Sequence, residues 1–131
     1  MTFELWLKAN YPNSIKIADH NIYMDKEIVI KYEQVYTQMI EDEIKAYNVL
    51  KNEPSVCKLL SVIYLDDAIV LIKERIYGTQ ATFDDIDAIR QWIDYLIVTY
   101  NKTEDCDENP DNFFWVEGKL VCVDLGDCWF K

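Results

Sequence analysis

Glycine is nearly missing from this chain. Only Gly78, Gly118 and Gly126 occur in 131 residues, and proline is equally rare at 3. Long disordered linkers draw on both residues, so their scarcity argues for one continuously folded domain, and 131 residues is an ordinary size for one. Basic residues are also few: 13 against 24 acidic ones, for a net charge of −11. Such a chain is repelled by phosphate backbones and anionic lipid, which argues against nucleic acid and membrane surfaces as partners. A solubilising surface, a basic protein partner or a bound divalent cation fits that charge. No apolar run approaches the ~18 residues that span a bilayer. The start, MTFELWLKANYPN, lacks the cationic segment and apolar stretch of a signal peptide. A place in the cytoplasm is expected, where the sequon Asn101-Lys102-Thr103 would carry no sugar. One histidine, His20, and four cysteines without a C-x-x-C pair make a poor zinc signature. Buried free thiols are expected. The alternative is a disulfide between Cys106 and Cys122 or Cys128, in a cell that keeps oxidised thiols.

What is present is half apolar and clearly patterned. Ser14–Glu33 alternates apolar and polar residues, broken at Asp19-His20-Asn21 and Asp25-Lys26, which predicts three short antiparallel strands. Thr37–Asn52 changes period: Ile40, Glu43, Tyr47 and Leu50 share one helical face, and Pro54 ends the run. Lys58–Gly78 reads as a hairpin turning at Asp66-Asp67. Asp84–Lys102 is an amphipathic helix with Ile86, Ile89, Ile93, Leu96, Ile97 and Tyr100 on its apolar face. An acidic loop follows, Glu104–Asp111, and then a hairpin from NFFWV to KLVCVD that turns at Glu117-Gly118. The expected fold is α+β, a five-stranded antiparallel sheet with one docked helix, then a helix, a polar loop and a terminal hairpin.

Several polar residues stand at the corners of this pattern. Asp107 and Asn112 flank the stretch Glu108-Asn109-Pro110-Asp111, and Asp124 ends an apolar strand ahead of Leu125-Gly126. A carboxylate and an amide from adjoining loops offer hard oxygen donors suited to magnesium. Glu43 falls between Ile40 and Tyr47 on the inward helix face, where an acid needs a cation, whereas Glu41 points elsewhere. Plainer readings exist for each: Lys31 as a solvated strand end, Asn112 as a turn residue and Asp107 as part of a solvated acidic loop.

Taken together these residues resemble the protein-kinase-like fold, over about Ser14 to Gly126. Asp107-Glu108-Asn109-Pro110-Asp111-Asn112 is similar to the catalytic-loop pattern D-x-x-P-x-N, Asp124-Leu125-Gly126 to D-F-G, and Lys31 in IVIKYE to the strand-three lysine. The resemblance implies a single minimal domain, residues 1–76 like the N-lobe and 77–131 like a rudimentary C-lobe, with ATP and magnesium as cofactors. It implies Asp107, Lys31 and Glu43 as catalytic residues, with Glu43 pairing Lys31. Asn112 and Asp124 would hold the metal. Lys31 would reach the nucleotide phosphates, while the backbone of Glu74-Arg75-Ile76 would meet the adenine at Glu74 and Ile76.

The departures are equally specific. No glycine lies between Met1 and Tyr77, so the phosphate-covering loop is missing and Asp19-His20-Asn21 stands there instead. Asp105-Cys106 replace the H-R pair, and Asn109 replaces the following cation. The sequence stops at Lys131, soon after Asp124-Leu125-Gly126, so the expectation is a kinase fold pared down to its nucleotide cleft. Two functions follow: a phosphotransferase acting on a small molecule, itself or a partner-supplied substrate, or a pseudokinase-like module docking a basic protein through its acidic surface. An unrelated small α+β binding domain is the third. Abundant Ile, Asn, Lys and Tyr suggest an AT-rich genome and a viral or mobile-element source, with the host cytoplasm as its compartment.

Overall fold

The first helix is one that apolar periodicity does not announce. In the computed structural model, which describes residues 1–17, 21–34, 37–100, 103–126 and 129–130, α1 spans Phe3–Asn10. It is followed by β1 (Ile15–Lys16), β2 (Ile22–Met24), β3 (Ile28–Glu33), α2 (Gln38–Val49), β4 (Leu59–Tyr64) and β5 (Ile69–Glu74). Next come β6 (Thr79–Gln80), a 3₁₀ turn (Phe83–Asp85), α3 (Ile86–Tyr100), β7 (Thr103–Asp105) and a second 3₁₀ turn (Pro110–Asn112). The last elements are β8 (Phe113–Val116), β9 (Lys119–Cys122) and β10 (Trp129–Phe130). Of the residues singled out in the sequence, Asp19, His20, Asn101, Lys102 and Cys128 lie outside the described ones.

The chain divides into two compact units, Met1–Thr37 with Lys58–Arg75, and Gln38–Cys57 with Ile76–Lys131. The first is an antiparallel five-stranded sheet in the order β1-β2-β3-β5-β4. Its pleat sorts the side chains. Ile30 pairs Ile72 and Tyr32 pairs Val70 on one face, while Val29 pairs Lys73 and Lys31 pairs Leu71 on the other. The first face packs under α1, where Phe3 stacks on Tyr32 with ring centroids 4.1 Å apart and Trp6 joins the same cluster. Burying two such rings is worth on the order of 2–3 kcal/mol each.

The start of α1 is held by the β4–β5 turn. Asp67 Oδ1 accepts the Phe3 N–H at 2.8 Å, and the Asp66 N–H donates to the Met1 carbonyl at 3.1 Å. The Asp66-Asp67 turn therefore also supplies, through Asp67, an acceptor for one N–H that the helix start leaves orphaned. The helix packed on the sheet within this unit is α1, whereas α2 belongs to the second unit.

In the second unit α2 turns Ile40, Glu43, Ala46 and Tyr47 inward and leaves Glu41 exposed, as helix phase predicts. The start of α3 is fixed by a reciprocal pair: Asp85 Oδ2 accepts the Thr82 N–H and the Asp85 N–H donates to the Thr82 carbonyl, both at 2.9 Å. The buried face of α3 is Ile89, Trp92, Ile93 and Leu96. Ile97, expected on that face, is 37% exposed, and Trp92 takes the inward position, edge-on to Phe113 at 5.0 Å. β6, β8 and β9 form a three-stranded sheet, and β7 pairs β10. The β8–β9 turn falls at Glu117-Gly118 as expected, with φ of 51° and 79°. Both residues are left-handed, the requirement of a two-residue hairpin with matching twist. Gly78 is needed for a different reason: a Cβ there would lie 2.4 Å from the Trp115 carbonyl oxygen.

Candidate functional site

The loop that carries Asp107 is built from its own polar side chains. Asp107 Oδ1 accepts the Asn109 N–H, and Asn109 Oδ1 accepts the Asp111 N–H, both at 3.0 Å. These successive Asx turns lead into Pro110 at the start of the 3₁₀ turn, where its missing N–H costs nothing. The turn delivers Asn112 back to the loop start, and Asn112 Nδ2 donates to Asp107 Oδ2 at 3.3 Å. Gln80 fastens the loop from β6, donating through Nε2 to the carbonyls of Pro110 at 2.8 Å and Phe113 at 2.9 Å.

Asp124 approaches from β9. The Val123 N–H donates to the Asn112 carbonyl at 2.8 Å, which joins the two polar segments one residue before Asp124. Asp124 Oδ1 accepts the Gly126 N–H at 2.8 Å. The backbone around it is held by side chains from other elements. Cys57 Sγ donates to the Val123 carbonyl at 3.5 Å, Cys122 Sγ to the Asp124 carbonyl at 3.2 Å, and the Leu125 N–H to Tyr47 Oη at 3.3 Å. Leu125 and Tyr47 are both buried, as are the free thiols Cys57 and Cys122. Burial first, and then the neighbouring Cys57, Glu43, Asp124 and Cys122, push the Tyr47 hydroxyl well above its ordinary 10.0. It stays neutral, available to accept from Leu125. Glu43 lies one turn before Tyr47 on the same helix face, 3% exposed.

The second unit thus gathers Glu43, Asp107, Asn112 and Asp124, and the last three are linked by direct hydrogen bonds or by one backbone step. Lys31 and Glu74 belong to the first unit. Lys31 is half-buried on the sheet face opposite α1, and Lys73, which the sequence did not single out, is buried on that same face. Glu74 is fixed at the end of β5: its N–H donates to the Lys58 carbonyl and its Oε1 accepts the Lys58 N–H, both at 2.9 Å. The Arg75 N–H donates to the Glu27 carbonyl at 2.9 Å. Ile76 is half-buried at the start of the second unit's later segment.

Asn112 and Asp124 suit magnesium by donor chemistry. The Asn112 amide nitrogen is bonded to Asp107, and the Asn112 backbone carbonyl is bonded to the segment that carries Asp124. Among the described residues no group of three or more His, Cys, Asp or Glu could hold a metal. Two oxygen donors are the kind of partial set that binds magnesium together with substrate phosphates.

Cys57 and Cys122 are free thiols as expected, whereas Cys106 is disulfide-bonded, which is the alternative the sequence offered for it, with Cys122 removed as its partner. One feature was hidden in the sequence. Glu53, 3% exposed, is a buried carboxylate tied to α3 by Tyr95 Oη at 2.7 Å and Tyr100 Oη at 2.9 Å. That signal is not local, since the Glu53 partners stand 42 and 47 residues away. Among the described residues no helix is long and apolar enough to cross a membrane. Neither the comparison with known protein families nor that with curated proteins returned a match for this chain.

Proposed function

We propose that this chain is a minimal kinase-like protein that binds ATP with magnesium. The observation that carries the reading is the bonded set Asp107–Asn112–Val123, which sets a carboxylate, an amide and Asp124 on two adjoining segments. Asn112 and Asp124 would hold magnesium, which when bound neutralises phosphate charge. Lys31 would meet the phosphates and pair with Glu43. The N–H groups of Glu74 and Arg75 are already bonded to carbonyls, so on this reading the adenine edge is met by the Glu74 carbonyl and the Ile76 N–H. For transfer, an acceptor hydroxyl oxygen forms a bond to the γ-phosphorus as the bond to the β,γ-bridging oxygen breaks. ADP leaves, and Asp107 orients the hydroxyl and takes its proton. The acceptor would be a small molecule, the protein itself or a partner-supplied group.

One observation favours the second reading, a pseudokinase-like module that docks a basic protein. Both oxygens of Asp107 are already engaged, by the Asn109 N–H and the Asn112 amide, which suits a structural role in its own loop. Calorimetry with ATP, with and without magnesium, on the wild type and Asp124→Asn separates the two. Magnesium-dependent heat lost in the variant supports the nucleotide reading. A folded wild type that gives no heat at millimolar ATP removes it.

A further inference from the structure

The second unit holds a cavity of about 640 Å³ between α3, the loop at Glu53–Ser55 and the β8–β9 hairpin. That volume is in the range of sites for small organic molecules, ~300–1,000 Å³. None of its lining residues is among those assigned above to ATP and magnesium, so the site stands apart from that reading.

Two indoles face it, Trp92 on α3 and Trp115 on β8, and each is held by another element. Trp92 Nε1 donates to Ser55 Oγ at 2.8 Å, and the Trp92 ring meets Phe113 edge-on at 5.0 Å. The Trp115 indole N–H donates to the carboxyl of Asp85, in the turn that opens α3. An indole has one donor, and both are engaged within the chain, so the rings offer π surface and not hydrogen bonds. Ala88, Val116, Leu120 and Val121 extend the wall with apolar side chains.

The polar groups of the wall are engaged as well. Ser55 accepts from Trp92 and donates its hydroxyl to Glu53 Oε2 at 2.6 Å, and the Tyr95 hydroxyl donates to Glu53 Oε1 at 2.7 Å. Glu53 is 3% exposed with both oxygens bonded to the chain's own groups, and no contact with a ligand is asked of it. At the mouth stand the exposed Glu117 and Lys119, one charge of each sign. A charged ligand entering here loses hydration and finds these wall groups already bonded. A neutral one avoids that penalty while gaining ring stacking and apolar burial.

We propose that this cavity is a binding site for a small neutral aromatic molecule, a flat ring system laid against Trp92 and Trp115.

Four probes of one shape test this: neutral 2-naphthylmethanol, 2-naphthylmethylammonium, 2-naphthoate and the saturated decahydro-2-naphthylmethanol. The readout is the indole N–H resonances of ¹⁵N-tryptophan-labelled full chain, in which Trp6 serves as an internal control in the first unit. The neutral aromatic probe should shift the Trp92 and Trp115 signals saturably and leave Trp6 unmoved. Both charged probes should bind at least about tenfold more weakly, and the saturated alcohol about fivefold more weakly. Ala88→Leu, a change that helix α3 accepts, should fill the cavity and weaken the neutral aromatic probe at least about fivefold. Trp115→Leu on β8 should do the same by removing a ring, so a folding failure in one variant leaves the other to carry the test. Equal or tighter binding of either charged probe or of the saturated alcohol would overturn the proposal. So would shifts that spare Trp92 and Trp115, no saturable shift, or unchanged binding in a folded variant.

Discussion

Tyr47→Phe isolates the hydroxyl that holds the backbone at Asp124. The ring stays, so apolar packing by this buried residue is retained and the change is confined to one oxygen atom. That oxygen accepts the Leu125 N–H at 3.3 Å, and Leu125 is itself fully buried. Losing the acceptor leaves a main-chain donor without its partner in a site closed to water, a cost of about 1–3 kcal/mol. Removing a buried hydroxyl that is itself expensive to desolvate offsets part of this, so a net loss of about 1.5 kcal/mol is expected. At ~2.1 cal/mol/K per residue, 131 residues carry an unfolding entropy of about 0.28 kcal/mol/K, and 1.5 kcal/mol becomes a Tm drop of about 5 °C. Amide exchange at Leu125 should accelerate about tenfold, while amides in α1 and β3 change less. Exchange at Leu125 unchanged from wild type, with Tm within about 1 °C, would refute the account. The hydroxyl would then be incidental, and Asp124 would be held by its own turn and by the thiols alone.

Gly78→Ala tests the packing of the β6–β8 pair. Its Cβ would meet the Trp115 carbonyl oxygen at 2.4 Å, so the strands must part, and denaturant unfolding should register a loss of about 2 kcal/mol or more. The pH dependence of stability should follow the Glu53 network at both ends. The carboxyl of Glu53 lies below its ordinary 4.5 in the fold, so its contribution is present above that value and is lost as pH falls through the lowered pKa. Tyr100 is pushed up to about 12, by burial first and then by its bond to Glu53, so its contribution is present below pH 10.0 and is lost as pH rises through about 12. Denaturation midpoints across pH for wild type and Glu53→Gln should show both limbs flattened in the variant. A variant curve parallel to the wild type would mean that the network does not titrate with folding.

Long patterns were legible and distant partnerships were not. The 12 residues of α2 and 15 of α3 repeat their apolar positions often enough to declare a helix, and alternation declared β2, β3, β4 and β5. Glu117-Gly118 was legible because a two-residue hairpin needs left-handed residues and glycine supplies one. α1 was not, because in eight residues only Phe3 and Trp6 are buried while Leu5 is 60% exposed, which blurs the stripe. The positions of Asp107, Asn112 and Asp124 could be read as a pattern, yet what fixes them could not. Gln80 reaches carbonyls 30 and 33 residues along, and Cys57 one 66 residues along, distances at which sequence carries no pairing signal.

Those fixing contacts bear on how the functional test can be interpreted. The bonds described at Asp107, Asn112 and Asp124 are made among the chain's own groups. Asp124 contributes one oxygen to its turn, accepting the Gly126 N–H through Oδ1, and an asparagine carbonyl oxygen can accept the same bond. Asp124→Asn therefore removes a negative charge while keeping the turn's acceptor. The melting temperature of the variant then separates a structural role of that charge from a ligand role. A variant that melts at or above the wild-type Tm and yet no longer binds magnesium with ATP has lost a ligand, not a fold. By contrast, a variant that melts several degrees lower would assign Asp124 a structural charge partner and shift the weight toward the docking module.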